Sequence, residues 1–157
     1  MNWGLVSKQI GEGYIKCEKH PDAPLWIYNY TQHAQFDWHW TPETMACRGL
    51  IADHEQNIVA RPFPKFFSYE QLNGQVPAEP FEVYEKMDGS LGILYWIGAK
   101  PWIATRGSFV SEQAQWVTEF FRRWPGRPTQ PDQYTLLFEI IYPGNRIVVD
   151  YGGLQTL

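Results

Sequence analysis

From Leu25 onward the sequence is a succession of strand-length apolar runs cut by turn residues, and this limits the fold more than any other feature. Leu25–Tyr30 (LWIYNY) reads as a strand rich in aromatics. Arg48–Ala52 and Ile58–Phe63 are apolar runs separated by Asp53-His54-Glu55-Gln56-Asn57, a hairpin with a longer loop. Pro62 and Pro64 end its second strand. A loop from Gly74 to Pro80 leads into Phe81–Glu85, an Asp88-Gly89 turn and Leu91–Ile97. Gly98-Ala99-Lys100-Pro101 then turns the chain into Trp102–Arg106, extending a meander of antiparallel strands. Tyr134–Tyr142 and Arg146–Tyr151 read as two more strands. Residues 1–24 are mixed and end in the turn-like His20-Pro21-Asp22-Ala23-Pro24, and residues 31–46 read as loop with a short helix.

One helix is clear. Ser111 is an N-cap, and Ala114, Val117, Phe120, Phe121 and Trp124 follow at helical spacing until Pro125-Gly126 stops it. Its apolar stripe is expected to pack on a sheet. Many strands with few helices predict an α+β fold with antiparallel sheets.

At 157 residues the chain has the size of a single domain spanning 1–157, and its 44% apolar content supplies a core. Charged residues make up only 19%, which excludes a disordered chain. No apolar run approaches the roughly twenty residues of a membrane span, and the N-terminus lacks a signal-peptide pattern. Two cysteines, Cys17 and Cys47, make no disulfide framework and point to a reducing cytoplasm. With His20 and His54 they match no standard zinc spacing. The net charge of −4 argues against a simple basic nucleic-acid module. Lys100, Arg106, Arg122, Arg123 and Arg127 leave room for a local basic groove.

Four short elements carry the chemistry. They are Cys47-Arg48-Gly49-Leu50-Ile51, Ala60-Arg61-Pro62-Phe63-Pro64-Lys65-Phe66-Phe67, Lys86-Met87-Asp88-Gly89-Ser90, and Thr105-Arg106-Gly107-Ser108. The last is followed by Leu137-Phe138-Glu139-Ile140-Ile141 and Asn145-Arg146-Ile147-Val148. Asp-Gly between apolar runs is by itself a common hairpin signal, with a solvated lysine beside it. In this order and spacing, over roughly residues 46–150, the elements resemble the covalent nucleotidyltransferases. The likeness is to ATP-dependent RNA ligases of the bacteriophage T4 RNA ligase 1 type.

The resemblance implies a partial ligase adenylation domain using ATP and Mg²⁺ and acting on RNA ends. Lys86 would be the nucleophile that takes AMP. A neutral amine is needed, and at an ordinary pKa only about four lysines in ten thousand are neutral at pH 7. Surrounding cations would both hold phosphate and favour the free amine. Arg48 and Lys65 would hold triphosphate oxygens, Asp88 and Gly89 would shape the turn, and Arg106 would contact a ribose or phosphate. Glu139, set in an apolar strand, would meet a ribose hydroxyl or a metal-bound water. Phe67 and Phe138 would pack on the nucleotide. Simpler roles stand beside these. Phe67 and Phe138 are equally core residues by type, Lys65 a snorkelling surface lysine, Arg48 and Arg106 surface cations, and Glu139 a partner for Arg146 across a hairpin.

The Glu-Gly strand and the Lys-x-Lys pair that should follow in such ligases are missing before Leu157. A fragment of a longer chain is the favoured expectation. A partner chain completing the site, and a non-catalytic nucleotide- or RNA-end-binding module, are the others. DNA ligases and mRNA-capping guanylyltransferases share Lys-x-Asp-Gly, so the sequence also leaves the base and the acceptor strand open.

Overall fold

The strands expected between Leu25 and Ile97 sort into two antiparallel sheets in the computed structural model, which describes residues 1–72, 78–129 and 133–157. The first sheet runs β1 (Ile15–Lys19), β2 (Leu25–Tyr30), β3 (Arg48–Asp53) and β4 (Ile58–Ala60), in that order. The second places β5 (Ser90–Ile97) between β6 (Lys100–Ala104) and β7 (Leu137–Ile140). The helices are α1 (Trp3–Gly11), α2 (Gln32–Phe36), α3 (Pro42–Ala46) and α4 (Glu112–Arg123). The fold is α+β, as the sequence predicts.

Side-chain alternation explains the layering. Ile27 and Ile51 of the first sheet meet Ile93, Tyr95 and Ala104 of the second in one buried cluster. The intervening residues face outward to helices. Leu94 and Ile103 pack with Val117 and Phe121 of α4, while Leu50 packs with Val6 of α1. β3 and β5 are therefore covered on both faces, which is why they read as nearly continuous apolar runs. Between the sheets, His20 is 4% exposed. Its Nδ1 accepts the Asp22 amide, so Nε2 carries the proton and donates to Tyr95 Oη at 3.1 Å. Burial lowers the His20 pKa below its ordinary value, with Asp22 opposing.

α4 begins and ends where its cap and its Pro-Gly stop place it. Ser111 Oγ accepts the Ala114 amide. Five expectations are corrected. Phe81–Glu85 is not a strand: both edges of β5 are taken, by β6 and β7, and Phe81, Val83 and Tyr84 stand 84%, 83% and 77% exposed. Asp88-Gly89 is therefore the entry to β5 and not a hairpin turn. Arg146–Tyr151 is not a strand either, because Val148 and Val149 donate their amides to the Asp88 carboxylate and not to a ladder. β4 stops at Ala60, before Pro62. The N-terminal segment, read as mixed, forms α1 and β1. Of the loop expected over Gly74–Pro80, residues 74–77 lie outside the described residues.

Candidate active site

A cavity of about 810 Å³ is lined by residues of both sheets. Two glycines set its walls. On the first sheet, one residue of β2 is matched by two of β3 between the Tyr28–Leu50 and Asn29–Arg48 pairs, so Gly49 is the extra residue of a bulge. Its φ of +87° is the left-handed region, and an added Cβ would lie 2.4 Å from Ile93 Cδ1. The bulge re-aims Arg48 into the cavity. On the second sheet, a Cβ on Gly89 would lie 2.5 Å from the Ile140 carbonyl oxygen, so only glycine lets the start of β5 lie this close to β7.

The motif around Lys86 is pinned from a distance. The Asp88 amide donates to Tyr151 Oη at 2.8 Å, and Asp88 Oδ2 accepts the Val148 and Val149 amides at 2.7 Å each. Those two bonds, aided by Lys86, hold the Asp88 carboxyl below its ordinary pKa. The Gly89 amide donates to Glu139 Oε1 at 2.8 Å. Ser90 Oγ donates to Asn145 Oδ1, and Asn145 Nδ2 donates to Ile140 O. Lys86 follows from these anchors. Its side chain is exposed, lines the cavity and donates to Met87 O at 3.4 Å.

The charged residues lining the cavity, among those described, are Lys16, Arg48, Lys86 and Arg106 against Glu18 and Glu139, a balance that suits an anion. Arg106 donates to Tyr30 Oη at 3.3 Å and lies over the Tyr30 ring. Arg48 lies 5.0 Å over the Phe66 ring. Among the described residues neither guanidinium has a carboxylate partner. Burial, and then Arg106, lowers the Arg48 pKa, while Tyr30 and Glu139 oppose the shift.

The cavity brings together Lys86, Gly89, Arg48, Arg106, Phe138 and Glu139. Three other candidates lie off it. Asp88 turns to residues 148 and 149. Lys65 sits over the Phe67 ring at 4.3 Å and the Trp40 ring at 5.5 Å, donating to Phe66 O. Its pKa is lowered by burial, then by Arg48 and Arg106. Phe67 packs on Trp38 and Trp40. Phe138 also touches Phe121 of the core. Arg146 pairs with Asp150 at 2.9 Å, leaving Glu139 to Gly89.

Sequence reasoning missed Lys16, Asn29 and Tyr30. Asn29 is 5% exposed and lines the cavity, and its Oδ1 has no partner among the described residues. A buried amide inside an aromatic strand was the signal that could have found it. No group of three or more His, Cys, Asp or Glu side chains that could hold a metal occurs among the described residues. Nor is any described helix long and apolar enough to cross a membrane.

Residues 46–155 match an RNA ligase family, that of T4 RNA ligase 1. A protein of Autographa californica nuclear polyhedrosis virus, whose name describes a bifunctional polynucleotide kinase/RNA ligase, is 27% identical over 98% of this chain. The chain spans 26% of that relative's length.

Proposed function

The chain belongs to the T4 RNA ligase 1 family of RNA ligases, and we propose that it is the nucleotidyl-transferring part of such an enzyme, taking AMP from ATP onto Lys86. The neutral Lys86 amine attacks the α-phosphorus of ATP. A nitrogen–phosphorus bond forms, the bond to the β-phosphate oxygen breaks, and pyrophosphate leaves with the electron pair. The nitrogen then loses a proton to solvent. In the second step an oxygen of an RNA 5′-phosphate attacks the same phosphorus and the bond to Lys86 breaks, the nitrogen taking a proton back from solvent as it leaves as the amine. Attack of a 3′-hydroxyl on the activated end then seals the strand and releases AMP.

The observation that carries this reading is the meeting of Lys86 with Arg48 and Arg106 in one cavity, both guanidinium groups lacking carboxylate partners among the described residues. A triphosphate supplies the missing negative charge, and forked donors suit its oxygens. Glu139 holds the Gly89 amide and so fixes the backbone next to the nucleophile. A magnesium ion would be held chiefly by substrate phosphates, with Glu139, the cavity carboxylate bonded to the Gly89 amide, as its protein oxygen donor. When bound, the ion supplies charge neutralisation on the leaving pyrophosphate. The exposure of Lys86 supports a second reading, a module that binds nucleotide without turnover.

Incubation with ATP labelled on the α-phosphate tests the proposal. Label is expected on the wild-type chain and not on Lys86→Ala. Label that persists in Lys86→Ala overturns it, and nucleotide binding without any label favours the second reading.

A further inference from the structure

We propose that Trp38 is a stacking platform for a base of a single-stranded nucleic acid, placed beside the cavity by a helix ending that a tryptophan makes less stable. This rests on the ligase reading for the identity of the strand. The stretch from residue 31 to residue 45 lies outside the matched family segment.

α2 ends in a Schellman arrangement. The Trp38 amide donates to Gln35 O and the His39 amide to Ala34 O, while Trp38 takes a φ of +53°. That position normally holds glycine, because a Cβ is strained in the left-handed region. A bulky residue there costs stability, and burial offsets the cost only if the ring is covered. Trp38 is 55% exposed. Its ring rests on Phe67 at 5.3 Å and edge-on to Trp40 at 6.2 Å, which steadies it without hiding it.

The neighbours decide what covers it. The Lys65 ammonium lies over both Phe67 and Trp40, and burial, then Arg48 and Arg106, lower its pKa from the ordinary value. Arg48 reaches from the cavity wall over Phe66, itself 54% exposed. An apolar polypeptide seated on this shelf would bury Lys65 without a counter-charge. A nucleotide brings a flat aromatic face for Trp38 and a phosphate for Lys65 together. Base–aromatic stacking of this kind tolerates any base.

The test uses the full chain and a fluorescently labelled, 5′-phosphorylated short oligoadenylate, followed by anisotropy. Trp38→Gly is expected to weaken binding by roughly tenfold or more. The same variant is expected to melt about 2–4 °C higher, because glycine relieves the backbone. Trp38→Phe keeps most of the affinity. A strand with abasic sugars in place of bases binds wild type and Trp38→Gly alike. Undiminished binding by Trp38→Gly, an equal loss on the abasic strand, or a lowered melting temperature overturns the proposal, as does a wild-type chain that ignores the strand. Lys86 labelling by ATP is a separate readout, expected to be the same in Trp38→Gly and wild type. Its absence from both would refute the nucleotidyl-transfer reading and leave the binding result standing.

Discussion

The two walls of the cavity are built in opposite ways. On the second sheet, Asp88, Gly89 and Ser90 each have their polar groups matched by residues 139–151. On the first sheet, Arg48 has no carboxylate and Asn29 Oδ1 no partner among the described residues. A satisfied network fixes one geometry, whereas unpaired donors and acceptors cost stability that a ligand can return. One wall has its polar groups matched within the fold, and the other leaves Arg48 without a carboxylate and Asn29 Oδ1 without a partner among the described residues.

Substituting the two glycines tests that contrast most severely. Gly49→Ala combines left-handed strain with a collision against buried Ile93 and is expected to cost roughly 2–5 kcal/mol. Gly89→Ala carries no left-handed strain but drives a Cβ against the Ile140 carbonyl oxygen and Glu139 Cγ, and is expected to cost roughly 1–3 kcal/mol, yet to abolish Lys86 labelling in protein that remains folded. Urea midpoints rank the two, and labelling of a folded Gly89→Ala protein would show that its wall is not the positioning one. Arg48→Met gives the next effect. It removes a desolvated cation facing Arg106, so the melting temperature should not fall while nucleotide affinity drops by about tenfold or more. A clear loss of stability would mean that Arg48 is a structural residue.

The smallest effect lies away from both walls and serves as their control. His20 is neutral in the fold, with its pKa below the ordinary 6.5. As pH falls past that value the unfolded chain takes up the proton first, so this contribution to stability is complete above about 6.5 and declines through the folded pKa. Urea midpoints should fall from pH 7.5 toward pH 5, and His20→Gln should flatten that part of the profile with no change in labelling at pH 7.5.

The sequence announces elements whose burial follows a simple period. The stripe of α4 and the doubly covered runs of β3 and β5 are of this kind. β1 buries only Ile15, so no alternation marks it. Phe81–Glu85 has strand-like residues but finds β5 already flanked by β6 and β7, because which strand occupies an edge is a property of the whole sheet. The site was legible in part for the same reason. Lys86, Arg48, Arg106, Phe138 and Glu139 stand in short local motifs and meet in the cavity. Lys16 and Asn29 arrive by strand pairing, Lys16 opposite Asn29 and Asn29 opposite Arg48, which only the register shows. Asp88 stands in the motif, but the partners of its carboxylate lie 60 and 61 residues away.

That separation has a consequence for how the protein is made. A ribosome that has released the chain as far as β6 has already produced Lys86, but the seat that holds it is still inside the exit tunnel or not yet synthesised. Until residues 139–151 emerge, Lys86 has no fixed address, so the second wall of the cavity can form only late in synthesis.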